Sequence, residues 1–395
     1  MMNWKSYIRD STKFILSKDR CSSSNSLELK KKVGLLTNYL KNGTYTFSEW
    51  TPATQPKKDG SYRIIIRPSL NDRIVLRAIS SYLSKKLKKD FSLVDEISFA
   101  YQKGKGVRDA LLQLKSIYHD GNVILKIDIC KFFDNINKDK IIELLQGYNI
   151  DTFVNTLVIN SLTPKLRNNE YTDGARVQIE NGIPQGNAIS AILSNLFLLE
   201  FDKKTKDMQY RMVRYADDII FVCKTIDEAI DILTWAQNYL IKERGLTIHP
   251  LDSKRNSKTK ILQNLKKNRL TYLGVEFDGV RLIPTKECQY KLVHKILKIL
   301  KSEELGTNDR IQGIKTCIAQ WCGFYAFTDI SSRRLSSLSK IINKICKKGL
   351  NDEWEFINLN IHILKSRLKQ NRKGIRKFLP QVRFGDEYKW LIVYE

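Results

Sequence analysis

The chain has 395 residues, 68 of them Lys or Arg and 42 Asp or Glu, for a formal charge of +26. With 42% hydrophobic and 10% aromatic residues it can build a sizeable core, which excludes wholesale disorder. The positive excess must lie on the surface and makes a polyanion, nucleic acid first, the leading partner class; no apolar run of membrane-spanning length occurs.

In chain order, residues 1–44 predict two short helices around a break at Cys21–Ser26. The N-terminal MMNWKSYIRD carries no signal-peptide core. TPATQPKKDGSYRIIIRPS predicts a β-hairpin arm turning at Lys-Lys-Asp-Gly. Helix spacing returns over Asn71–Lys89 and again over Gly104–Tyr118. Asn122–Ile129 (NVILKIDI) is a buried strand, followed by a turn and a helix from Asn137. Arg176–Glu180 is a strand candidate and Asn181–Gln185 a loop. Ala188–Glu200 is a strongly apolar helix. Arg211–Lys224 (RMVRYADDIIFVCK) predicts two strands joined by a tight acidic turn. An amphipathic helix over Asp227–Arg244 follows, then strand candidates at Leu246–Ile248 and Leu270–Phe277. After Pro284 the chain is nearly all helix, at 286–303, 308–325, 331–348 and 353–369, with strand-like runs after Gly374. Mixed strands and helices followed by an all-helical end predict an α+β core with a helical appendage.

Seven Cys form no CxxC pair and the four His lie far apart, so neither a zinc site nor a disulfide framework is expected. Reduced, packed thiols of a cytosolic protein fit this pattern.

Two acidic clusters carry the chemistry. Asp128 ends the apolar strand of ILKIDICKFFDNI, and Asp217 and Asp218 occupy the turn of YADD. Side by side in one sheet, such strands would bring their carboxylates to one rim. Like charges there repel and call for a divalent cation; hard oxygen ligands with room for phosphate favour Mg²⁺. Asp134, in the first cluster, suits a cap of the following helix as well as a metal.

These segments resemble reverse transcriptases, especially the bacterial group II-intron-like lineage. The resemblance rests on KIDICKFFDNI, NGIPQGNAISAILSNLFL, RYADDIIF and YLGVEF in that order, with KKDGSYRIIIRP and NDRIVLRAI upstream. It implies a right-hand polymerase fold: fingers, a palm bearing an antiparallel sheet, and a helical thumb. The implied division is an N-terminal helical extension (1–44), fingers (45–120), palm (121–136), an insertion (137–180), palm again (181–284), and thumb with a tail (285–395).

The resemblance also implies roles. Asp128 and Asp217, with the backbone carbonyl of Ile129, would hold two Mg²⁺ ions, for which Mn²⁺ can stand in vitro; Asp218 is the adjacent, less directly ligating carboxylate. Phe133 matches the aromatic gate against a 2′-hydroxyl, leaving Phe132 to pack. Arg63 and Lys57 or Lys58 match basic fingers residues that close on the triphosphate, although RIIIRP departs from the intron enzymes' usual RPLGIP. Gln185 and Gly186 match the contact with the nascent base pair. Asn187 replaces a second glycine common in intron enzymes. Lys254 matches a proton donor to pyrophosphate. Arg255, Lys258, Lys260, Lys266, Lys267 and Arg269 would grip a phosphate backbone from an exposed loop, and the hairpin with Tyr272 and Gly274 would support the primer. Trp321, Phe324 and Tyr325 are thumb packing.

The implied enzyme is an RNA-directed DNA polymerase working on dNTPs, an RNA template, nascent DNA and an RNA–DNA duplex. The chain lacks the NAxxH and VTG marks of retron enzymes, the SQ form of diversity-generating enzymes, an RNase H constellation and a Cys-containing endonuclease. It thus resembles most the compact, stand-alone bacterial enzymes of phage defence. The expectation is a cytoplasmic protein that copies a dedicated noncoding RNA, with a second copy or an accessory defence protein open as partner. A maturase-like RNA-binding protein and a retron-like enzyme are the alternatives.

Overall fold

The computed structural model describes residues 2–18, 26–56, 62–167, 182–252 and 257–350, with positions 353, 355, 357, 366 and 368. The chain forms two compact units. Among the described residues, one comprises those up to Lys105 and Ile124–Ile261, the other Gly106–Val123 and those from Leu262 to Leu368.

The first unit begins with helices Trp4–Lys18 and Ser26–Lys41. Strands β1 (Thr51–Pro56) and β2 (Tyr62–Arg67) then pair antiparallel, with Gln55 opposite Arg63. The entry to β1 hangs on one buried carboxylate. Asp72 accepts from the Tyr45 hydroxyl at 2.6 Å, the Ser48 hydroxyl at 2.5 Å and the Trp50 indole at 2.9 Å. Asp72 sits in the first turn of helix Leu70–Lys86, whose cap is Ser69.

A four-stranded sheet holds the centre, in the order β4-β5-β3-β6: β3 Val123–Asp128, β4 Met212–Tyr215, β5 Asp218–Cys223 and β6 Lys260–Leu262. Helix Ala188–Asp207 is buried along nearly its whole length and packs on helices Leu70–Lys86, Lys138–Gln146 and Thr152–Leu162. Its apolar residues run all around the axis, as a helix enclosed on every side requires. Asn187, which stands in for the glycine of the intron enzymes, is this helix's cap: its side chain accepts from the Ile189 amide at 2.9 Å.

The second unit contains helix Val107–Ile117 and an antiparallel sheet of β7 (Leu270–Tyr272), β8 (Val275–Phe277) and β9 (Leu282–Pro284). Helices Lys286–Leu300, Thr307–Phe324 and Ser332–Leu350 complete it. Trp321 and Tyr325 are buried, as expected of packing residues.

The fold is α+β, with an antiparallel sheet flanked by helices and further helices toward the C-terminal end, as a fingers–palm–thumb chain requires. Among the described residues no helix is long and apolar enough to cross a membrane. The described cysteines form no disulfide with one another, and four of them are buried.

Two expectations need correction. Lys260–Leu262 is a sheet strand, not part of an exposed loop; three residues are too few for periodicity to reveal. Leu246–Ile248 makes only a single bridge, Ile129 with Ile248, and the preceding helix ends in a π-turn over Leu240–Arg244. The strand proposed at Arg176–Glu180, the Lys-Lys-Asp-Gly turn, most of 353–369 and the runs after Gly374 lie outside the described residues.

Candidate active site

Strands β4 and β5 are paired up to Tyr215 and Asp218, leaving Ala216 and Asp217 as a two-residue turn. Ala216 takes φ 57°. A left-handed conformation costs an L-residue roughly 1–2 kcal/mol, so something must hold it. Arg214 does so: its Nη1 donates to the Ala216 carbonyl at 3.0 Å. The turn thereby presents Asp217 at the tip, and β3, which neighbours β5, ends in Asp128.

The carboxylates sense one another. Loss of hydration pushes Asp217 up to about 6, and the charges of Asp128 and Asp218 add to this, while the more distant Arg63 opposes it. Asp218 is also raised by loss of hydration, but Lys126 pulls it back. The Lys126 ammonium lies 3.1 Å from Asp218. Lys260, on β6, is half-buried; burial and the charge of Lys126 hold its pKa down. Asp128 Oδ2 lies 3.3 Å from Lys258 and 3.4 Å from His249 Nε2. Lys258 Nζ and His249 Nε2 are themselves 3.1 Å apart. Burial and Lys258 lower the pKa of His249, against the pull of Asp128.

Among the described residues no three His, Cys, Asp or Glu side chains form a ready-made metal cage. The donor set still suits Mg²⁺, which keeps several waters and takes one or two carboxylates plus substrate phosphates. The charge of Asp128 adds to the raised proton affinity of Asp217, a repulsion that a divalent cation relieves. The Ile129–Ile248 bridge is flanked by Cys130 N–H to Thr247 C=O at 2.8 Å and His249 N–H to Asp128 C=O at 3.0 Å. The carbonyl of Ile129 therefore points away from Ile248 and outside that ladder.

Beyond Asp128 the chain kinks at Lys131, φ 42°, into the short helix Phe132–Asn135. Phe132 is buried and Phe133 half-buried. The Gly182–Gly186 loop locks onto this turn. The Ile183 amide donates to the Phe133 carbonyl at 2.8 Å, and a Cβ at Gly182 would sit 2.4 Å from that oxygen. Gln185 Nε2 donates to Asp134 at 3.0 Å. Asp134 therefore does not cap the following helix, which Asn137 caps; it holds Gln185. The Gln185 carbonyl in turn accepts from the Ile66 amide of β2 at 2.8 Å, tying in the hairpin that carries Arg63. Gly186 has φ 102°, open only to glycine. Lys57, Lys58, Lys254 and Arg255 lie outside the described residues.

The remaining basic residues belong to the second unit. Lys266 is 2.7 Å from Asp120, and Arg269 is 3.1 Å from Glu276. Lys267 is exposed, whereas Tyr272 is buried and packs the unit's interior. Gly274, φ 78°, sits in the β7–β8 turn, where a Cβ would lie 3.0 Å from Cys288 Sγ.

Sequence reasoning gave no role to Arg214, Lys126 or His249. Arg214 had a signal: a charge inside an apolar strand needs buried partners. The other two depend on strand neighbours distant in sequence.

The chain has curated relatives. It is 28% identical to a putative COX1/OXI3 intron 1 protein of Saccharomyces cerevisiae over 44% of this chain and 20% of that one. It is 26% identical to the retron Ec83 reverse transcriptase of Escherichia coli over 42% of this chain and 50% of that one. The matches thus span a fifth to a half of these relatives' lengths. A solved telomerase of Candida tropicalis, in complex with a fragment of telomeric RNA, aligns at 13% identity with a TM-score of 0.48, over 91% of this chain and 67% of that one, too loosely to bear on function. The family described as reverse transcriptase (RNA-dependent DNA polymerase) matches residues 55–277, more than half of the chain, across both acidic clusters. The chain therefore belongs to the reverse transcriptase family of nucleotidyltransferase enzymes, related at low identity to retron and intron members.

Proposed function

We propose that the chain is an RNA-directed DNA polymerase that adds dNTPs to a 3′-hydroxyl, copying a dedicated noncoding RNA in the cytoplasm of a bacterium defending itself against phage. The observation that carries the catalytic reading is the placement of Asp128 at the end of β3 and Asp217 at the tip beside the neighbouring β5, close enough that the charge of Asp128 raises the proton affinity of Asp217. Asp128, Asp217 and the Ile129 carbonyl would hold two Mg²⁺ ions, which when bound acidify the attacking hydroxyl and offset charge on the phosphates.

The chain's own side chains do the rest. Arg63 offers the triphosphate a fixed fork of donors from the hairpin face that senses Asp217. Phe133 closes the space a 2′-hydroxyl needs. Gln185, aimed by Asp134, and Gly186 border the nascent base pair. Lys254 serves as proton donor to the departing pyrophosphate. The exposed Lys and Arg side chains hold template and duplex by their phosphates.

Primer extension by purified protein on RNA tests the chemistry: D217N should abolish most synthesis while the fold persists. Tight RNA binding without synthesis in the parent protein would favour the maturase-like reading instead. The defence role is tested by infection with the gene and its flanking DNA beside a D128N variant, which should lose protection. A retron-like role is the second reading, favoured by the match to the Escherichia coli retron enzyme. Sequencing the nucleic acid that co-purifies separates the two.

A further inference from the structure

We infer that Arg214 is a positioning residue for Asp217, setting the metal-binding hairpin tip from inside the core. This rests on reading Asp217 as a metal ligand.

Arg214 is 1% exposed, and all five of its N–H donors are engaged. Nε donates to Asp202 Oδ1 at 2.7 Å and Nη2 to Asp202 Oδ2 at 2.5 Å. Nη2 also reaches the Ser98 hydroxyl at 2.8 Å. Nη1 divides between Asn195 Oδ1 at 3.2 Å and the Ala216 carbonyl at 3.0 Å. The backbone is fixed as well: the Arg214 amide donates to Ile97 at 2.7 Å and its carbonyl accepts from Phe99 at 3.0 Å. Asn195 is itself held, its amide donating to the Ala100 carbonyl at 2.6 Å. The guanidinium thus references one point to helix Ala188–Asp207 and to the 97–100 segment.

That point is the carbonyl one residue before Asp217. A peptide unit is planar, so fixing the Ala216 oxygen fixes the orientation of the Asp217 amide and Cα. Ala216 is the residue whose backbone most needs holding, at φ 57°. Asp202 neutralises the buried charge and two of the five donors; a pair serving stability alone would leave the turn carbonyl to another donor. Lysine keeps the charge but has three rotatable donors in place of a planar fork, so it cannot serve Asp202 twice and the turn together.

The test is Mn²⁺ binding to nucleotide-free protein, followed by electron paramagnetic resonance, alongside primer extension and a thermal melt. R214K should weaken Mn²⁺ binding about tenfold or more, the effect typical of groups that orient metal ligands. Turnover should fall by a similar factor with the KM for dNTP little changed. V158A, a core substitution in helix Thr152–Leu162, supplies a destabilised control that should keep full Mn²⁺ affinity. If R214K does not fold, N195A decides: it frees Nη1 from its second acceptor and leaves the Asp202 pair in place, so Mn²⁺ affinity should still drop measurably. Unchanged Mn²⁺ affinity in the folded variant, with D217N losing it, overturns the role of Arg214. If D217N itself keeps Mn²⁺ affinity and synthesis, it is the metal-ligand reading that falls.

Discussion

Lys126 Nζ lies 3.1 Å from Asp218 Oδ1, whereas no cation of the described residues comes within ion-pair distance of the adjacent Asp217. Neighbours in sequence, the two aspartates are therefore unlike in charge environment. Asp218 is already compensated by the protein, and Asp217 is left for a ligand to compensate.

D217N and D218N should therefore differ. D217N should cut single-turnover synthesis at least about a hundredfold, ~2.7 kcal/mol of barrier, and D218N by about tenfold or less. D218N should also lower the melting temperature more, because it leaves the ammonium of Lys126 in a half-buried place without its carboxylate. Equal rate losses in the two variants would remove the distinction.

The adjacent phenylalanines should separate in the same manner. Phe132 is 2% exposed, so F132A should cost about 3–5 kcal/mol of stability with little change in sugar preference. F133A should shift the ratio of kcat/KM for dGTP over GTP by about 10- to 200-fold toward the ribonucleotide. Measuring that ratio on one primed RNA template decides it; a shift in F132A and none in F133A would move the gate by one residue.

D134A removes the acceptor that aims Gln185. Loss of a hydrogen bond to a charged group is worth about 1.5–3 kcal/mol. The expected result is a rise in the KM for dNTP of about tenfold, with the melting curve nearly unmoved because the pair is exposed. Q185A should reproduce it, and the double variant should add little. Additive losses would show that the two side chains act separately.

Salt dependence should locate the phosphate contacts. Lys340, Lys344 and Lys348 are exposed on helix Ser332–Leu350, which contains no acidic residue. Replacing all three with Ala should reduce the slope of log affinity against log salt by about 2–3, one unit or slightly less per phosphate lost. Removing Lys266 and Arg269 should reduce it less, since Asp120 and Glu276 already engage them. Binding titrations across a salt series compare the two sets; the reverse order would place the contact on the β7 side.

The parts of the site that could be read in sequence are those written within one segment. An apolar run ending in Asp128, and a second one interrupted at the Ala216-Asp217-Asp218 turn, announce strands with acidic ends. The apolar stretch from Ala188 announces a buried helix. What could not be read depends on partners brought together by folding. Gln185 and Asp134 are 51 positions apart, and Arg214 meets Ser98 from 116 positions away. β6 is three residues long, and Lys260 within it reads as one more loop lysine until Lys126 and Asp218 are seen beside it.

Gly182 joins two such distant segments by having nothing where a side chain would be. With φ 78° and a Cβ position 2.4 Å from the Phe133 oxygen, the loop and the turn behave as a single machined part. Neither can be exchanged alone. A Phe132–Asn135 turn grafted from another family member will seat only if its own Gly182 loop travels with it. A screen for altered nucleotide choice will accordingly find its viable variants as paired changes across the two segments, with position 182 left untouched.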